Sequence, residues 1–164
     1  MTERIKHLIE ALRDELKEYG EMLALLEEQQ EHLMSRRADG VLESVGRINE
    51  QALVLKRTRM RREETQHHLA CTVGHAECTG IFVLAQYLPA DYRPLLTALV
   101  NENNQLLARV QKRGHQNHLL LSRSVELMQQ FISALNPGQN ATVYGGDGAV
   151  HTGSPSNALY EAVG

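Results

Sequence analysis

Apolar residues recur at Ile5, Ile9, Leu12, Leu16, Tyr19, Leu23, Leu26 and Leu33, in steps mostly of three and four, with Gln30 taking one place in the row. A spacing near 3.5 predicts a long helix packed almost side by side with a neighbour. Thr2 is the expected N-cap, and Glu3 suits the first turn. "SRRADG" at 35–40 interrupts the row, and Asp39-Gly40 reads as a turn. A second row follows at Val41, Val45, Ile48, Ala52 and Leu55, and then turns polar at Arg59, Arg62 and Gln66. That change predicts a second helix packed in its first half and more exposed in its second. The short connection favours an antiparallel hairpin of residues 2–36 and 40–70.

From Ala70 to Pro94 the pattern is irregular. Gly74 and Gly80 weaken helix, and "IFVLAQYL" (81–88) is a short apolar run closed by Pro89. With helix on both sides and no second strand to pair with, it reads as a short helix. A third long helix is predicted from about Asp91, with Pro94 in its first turn. Its row is Leu96, Leu99, Asn103, Leu106, Val110, Asn117, Leu120, Leu127 and Phe131. Asparagine in a helix seam lowers stability and can fix register. "NPG" at 136–138 stops this helix. Residues 137–164 contain no Lys or Arg and many Gly, the composition of a flexible segment. The pattern therefore predicts an all-α, elongated bundle of three long helices and a short one over residues 1–136, with a flexible glycine-rich tail over 137–164.

Composition narrows the function. Aromatics are 4% of the chain, with no Trp, which suits helices along a Leu/Ala/Val seam. A net charge of -3 argues against general nucleic-acid binding. No apolar run approaches the roughly 18 residues of a membrane span, and the N-terminus lacks a signal-peptide stretch, so a cytoplasmic location is expected. Cys71 and Cys78 are too few for a disulfide framework.

Three motifs test other chemistries. In "HHLACTVGHAEC", His67, Cys71, His75 and Cys78 would share one side of a helix. Eleven residues span roughly 16 Å, however, so one straight helix cannot bring all four to one ion. No metal or cofactor is expected, although Cys71 and Cys78 leave a metal or redox sensor as a third class. "KRTRMRR" (56–62) spreads Lys56, Arg57, Arg59, Arg61 and Arg62 around the helix, without stacking aromatics. An acidic first helix facing it would neutralise part of the run. "YGGDG" lacks the Lys-Ser/Thr of a phosphate loop and the strand–helix setting of a dinucleotide fingerprint. No nucleophile–base–acid set stands out, so no catalytic residue is assigned and the chain does not read as an enzyme.

The tail is not plain filler. It carries Val143, Tyr144, Leu159, Tyr160 and Val163. "SPSNALYEAV" (154–163) has a cap residue in Ser156 or Asn157 and can form a short helix when its apolar face is covered.

The order of "LIEALRDELKEYGEMLALLEEQQEHL", "RADGVLESVGRINEQALVLKRTRMRR", "LVNENNQLLARVQKRGHQNHLLL" and "ATVYGGDGAV" resembles the FlgN-type export chaperones of bacterial flagella, over about residues 5–150. The Asn-rich "NENNQLL", followed about 40 residues later by "TVYGGDG", is its specific part. The resemblance implies a cytoplasmic chaperone that binds hook–filament junction proteins before type III export and delivers them to a membrane export gate. It implies client binding in the C-terminal region and gate docking through a tail tyrosine, which here is Tyr144. Leu120, Leu127, Phe131 and Leu135 are the expected client-binding residues, because little chain remains to cover them. A structural coiled-coil protein without a dedicated client is the alternative, and the rows also admit a homodimer.

Overall fold

The computed structural model describes residues 1–75 and 80–135. Among them run α1 (Thr2–Met34), α2 (Ala38–Thr72), a short α3 (Ile81–Ala85), a 3-10 turn at Ala90–Tyr92, and α4 (Arg93–Leu135), with no strand. The all-α class, the three long helices and the short fourth agree with the spacing. The chain divides into two units, Met1–Leu120 and Leu121–Gly164.

Two local details differ from expectation. Thr2 is not the cap of α1 but its first residue; Met1 holds the cap position, and no side chain caps the helix. Nor do Asp39 and Gly40 form the turn. The chain reverses at Ser35–Arg37, and Arg36 takes the left-handed conformation (φ 54°). Arg37 N–H donates to His32 O at 2.9 Å and Arg36 N–H to Leu33 O at 3.2 Å, the double bond pattern of a Schellman stop. Asp39 then suits the first turn of α2 electrostatically. Gly40 serves close packing: a Cβ there would lie 2.8 Å from the His32 ring. The same stop closes α2, with Gly74 (φ 78°) at the left-handed position and His75 N–H on Ala70 O at 3.0 Å.

In the first unit α1 lies between α2 and α4. Along the α1–α2 pair, partners descend one helix as they ascend the other. Arg47 Nη1 donates to both Glu28 oxygens at 2.8 Å, Gln51 Nε2 to Glu18 Oε2 at 2.7 Å, and Arg61 Nη1 to Asp14 Oδ2 at 3.2 Å; Arg4 Nη1 reaches Thr72 Oγ1. The hairpin is antiparallel. α4 instead runs parallel to α1: Asn103 Nδ2 donates to Leu12 O at 3.0 Å and Asn117 Nδ2 to Leu26 O at 2.7 Å, the same separation of 91 residues in both pairs.

With a neighbour on either side, α1 buries more than one row. Ile5, Leu8, Leu12, Glu15, Tyr19, Met22, Leu26 and Gln29 form an unbroken three-four alternation of buried residues, with Ile9 and Leu23 beside it. The apolar core gathers at one end, from Ile5, Leu8, Ile9 and Leu12 of α1, Leu69 and Ala70 of α2, Leu84 and Leu88, and Leu96, Leu99 and Val100 of α4. Arg93 holds the α3–α4 connection there, donating to Leu88 O and Gln86 O at 3.0 Å. This placement reverses the expectation for α2. Its first half is mostly half-buried or exposed, with Ser44 alone deeply buried among the described residues, whereas Gln66, Leu69 and Ala70 near its end are enclosed. The physical reason is that α3 covers only the end of α2 that meets the start of α1.

Candidate docking surface

Polar residues inside the seam set the register on which any surface of α4 depends. Glu15 is 4% exposed and doubly bonded: Tyr19 Oη donates to Oε1 at 3.1 Å and Arg62 Nε to Oε2 at 3.0 Å. Arg62 also donates to Gln66 Oε1 at 3.0 Å. A buried carboxylate persists when it is paired and hydrogen-bonded in this way. Burial, and then the neighbouring Glu15 carboxylate, push the Tyr19 hydroxyl up to about 12. Two heptads on, Asn117 donates to Gln29 Oε1 at 3.1 Å as well as to Leu26 O. Among the described residues, neither Asn103 Oδ1 nor Asn117 Oδ1 meets a donor, although both atoms are buried.

Towards its end α4 presents a different surface. Leu120, Leu127, Phe131 and Leu135 are all exposed, Phe131 to 62%. They lie on one helix at successive separations of seven, four and four residues. The sequence reading missed Val125, Met128 and Ile132, which are also exposed. With Leu121 and Leu135 they make an unbroken four-three-four-three row. That spacing is the sequence signal for them, and the row through Leu120, Leu127 and Phe131 does not contain it. No described residue from 121 to 135 is buried. Two adjoining apolar rows on one exposed helix form the kind of patch that marks a docking site. Tyr144, the predicted gate-docking residue, lies outside the described residues, as does the rest of 136–164.

The other constellations resolve into local contacts. Arg61 and Arg62 of the basic run meet Asp14 and Glu15 of α1, and Arg59 pairs with Glu63 at 3.0 Å. Cys71 Sγ lies 3.6 Å from His67 Nε2, while the His75 ring stacks on Tyr87 at 3.7 Å. Cys78 lies outside the described residues. Among the described residues no three His, Cys, Asp or Glu side chains converge as metal ligands, and no helix is long and apolar enough to cross a membrane.

The end of α4 thus exposes an apolar surface, whereas a groove lined by Glu15, Tyr19, Arg59 and Arg62 holds charges already paired with one another or with Glu63. No curated protein and no solved structure matches the chain. The profile of the FlgN protein family, however, matches residues 1–152, nearly the whole chain and all of its described helices. The chain belongs to the FlgN family, a family of flagellar export chaperones and not of enzymes.

Proposed function

We propose that this protein is a cytoplasmic chaperone that binds hook–filament junction proteins, keeps their assembly segments covered, and delivers them to the membrane gate of the type III export apparatus. The observation that carries the reading is the exposed apolar face of α4, where Leu120, Leu127, Phe131 and Leu135 stand with Val125, Met128 and Ile132. A helical client segment laid on this face completes a bundle, with anchors at helical spacing. Residues 1–136 act as the chaperone domain in this reading. Residues 137–164 act as its tail, with Tyr144 entering the gate.

The test is a calorimetric titration of a purified hook–filament junction protein into wild type and Phe131→Ala. A buried Phe contributes roughly 200 Å2, so its exposed part leaves about 120 Å2 for a client, an upper limit of about 3 kcal/mol. Binding weaker by about 10- to 100-fold is expected, with helix content unchanged. A folded variant that binds like wild type sinks the assignment. For the gate, Tyr144→Ala should retain client binding and lose docking of the loaded complex, with Tyr160→Ala as the matched control. Loss of client binding in Tyr144→Ala would merge the two sites and end the two-step scheme.

One observation favours a second reading, self-association. α2 exposes Leu42, Leu53 and Met60 along the side opposite the residues it turns towards α1, Ser44, Gln51 and Arg62. Sedimentation showing one monomeric mass across concentrations would remove the homodimer.

A further inference from the structure

We infer that the end of α4 of a second copy of this chain lies in the groove between α2 and α4, and that the first copy fills the second in return, as an antiparallel twofold dimer. The inference goes beyond the client reading, and only its consequence for clients rests on that reading. At one end of the first unit α3 bridges α2 and α4. Its Ile81 and Phe82 line the end of a groove floored by Tyr19 of α1 and walled by Arg59 of α2 and Leu107 of α4. Past α3 the walls stay apolar. Leu55, Ala52, Ile48 and Val45 stand four, seven, eleven and fourteen residues before Arg59, on the same side of α2, and none is buried. On α4, Val110 and Gly114 follow Leu107 and are not buried either. The α2 row is the one that the spacing predicts to be packed, and no described residue encloses it. The matching element is the end of α4, where Val125, Leu127, Met128, Phe131, Ile132 and Leu135 are each more than half exposed.

Length and register agree. Residues 121–135 extend about 22 Å, and residues 104–118 of α4 extend about 21 Å. In a single antiparallel register Leu107 of one copy faces Ile132 of the other, Gln111 faces Met128, Gly114 faces Val125 and His118 faces Leu121. The same four contacts recur with the copies exchanged, so the pairing closes on itself. Leu127 and Phe131 form a second row about 100° around the helix from the first. A helix in the corner of a bundle has two neighbours about a right angle apart, so this row meets α2 at Ala52 and Leu55.

Charge and area favour the same occupant. Residues 104–118 carry Arg109, Lys112 and Arg113 and no acid. Glu126 of the second copy comes level with Lys112, and its Arg123 with the neutral Gln116. The six exposed side chains offer roughly 100 Å2 each, so two ends and two grooves bury on the order of 2,000 Å2, the size of a stable homodimer interface.

The test compares the full chain with Ala52→Arg/Gly114→Glu by sedimentation equilibrium. Ala52 is exposed, and a Cβ at Gly114 meets Leu26 Cδ1 only at 4.0 Å, so the fold is kept and every residue of 121–135 stays in place. Wild type should show a monomer–dimer equilibrium that the variant weakens at least about tenfold. A monomer at every concentration overturns the inference. So does a dimer that ignores these substitutions and yields to Met60→Asp, because the outer side of α2 is then the interface. In a Cys71→Ser/Cys78→Ser background, Gly114→Cys chains mixed with Val125→Cys chains should give a covalent dimer on mild oxidation, and a dimer that gives none overturns the arrangement. A titration with a hook–filament junction protein separates the two readings. The Ala52→Arg/Gly114→Glu variant should bind it about two- to tenfold more tightly, because no second copy competes for the end of α4. Weakened dimerisation with unaltered client affinity upholds the dimer and overturns the client reading of the face.

Discussion

Replacing Asn103 by leucine should make this protein more stable. Asn103 is 6% exposed and gives both of its hydrogen bonds from Nδ2, to Leu12 O and to Leu99 O, each at 3.0 Å. Both acceptors are helix carbonyls that keep their intrahelical bonds when the amide goes, so nothing is orphaned. The loss is therefore about 1 kcal/mol per bond. Against it, Oδ1 ceases to be a buried acceptor without a donor, which returns about 1–3 kcal/mol. A buried Leu adds about 2 kcal/mol of apolar transfer. Its extra volume costs about 1 kcal/mol of strain, at the low end because Asn103 lines a groove beside Val100 and Leu107. The net is a gain of about 0–2 kcal/mol, centred near 1 and worth up to a few degrees in Tm for a chain of this size. Urea unfolding followed by circular dichroism measures it. Asn117→Leu is the internal control. It strands Gln29 Oε1, which is buried and takes its donor from Asn117, so it should fall about 1–3 kcal/mol below Asn103→Leu. A loss of 1 kcal/mol or more in Asn103→Leu, or the reverse order of the two variants, would refute this account of the seam.

Other expectations follow from single sites. Tyr19 has its hydroxyl raised from 10.0 to about 12, so the fold binds a proton that the unfolded chain has released between those values. That contribution, about 2–3 kcal/mol, is complete below pH 10 and is lost as pH rises through about 12; Tyr19→Phe should flatten the fall in denaturation midpoint over this window. Arg36→Gly should stabilise by about 0.5–1 kcal/mol, because an exposed Arg now holds a left-handed position that glycine takes without strain. Gly40→Ala should destabilise by about 1 kcal/mol despite alanine's better helix propensity, because its Cβ would meet the His32 ring at 2.8 Å; a thermal melt above wild type would show that the ring moves freely.

How far the sequence could be read depends on the distance over which each feature is decided. The helices were legible because rows such as Leu12–Leu16–Tyr19–Leu23 are local, and so was the antiparallel hairpin, which a turn of three residues enforces. The fate of individual positions was not. Glu15 looks like any acidic residue of α1, and its burial depends on Arg62, 47 residues away. Apolarity alone made α2 seem best packed at Val41–Leu55, whereas its enclosed residues include Ser44 and Gln66, whose places were set by partners on other helices. The exposed face was half legible. Leu120, Leu127, Phe131 and Leu135 were found as the end of a row, while Val125, Met128 and Ile132 belong to a second row that only the exposure of the whole stretch brings forward. The direction of α4 had no local signature at all, since nothing in its own residues distinguishes parallel from antiparallel packing on α1.

The two asparagines also show why one helix can present two kinds of surface. From Leu96 to Asn117 the inward row of α4 carries an amide every two heptads, and each amide finds a carbonyl of α1. A shift of one heptad would still set each amide against a backbone carbonyl of α1, but it would part Asn117 from Gln29 Oε1 and leave that buried acceptor without its donor, at a penalty of about 1–3 kcal/mol, so this pair favours the observed register. From Leu121 to Leu135 the row Leu121, Val125, Met128, Ile132, Leu135 carries no polar residue. An apolar row of that kind gains about as much from a partner helix in one heptad register as in the next. It can accept related segments and release them without breaking a buried hydrogen bond. Discrimination between partners must then come from the flanks, where Arg123 and Glu126 stand, or from a step beyond the row itself.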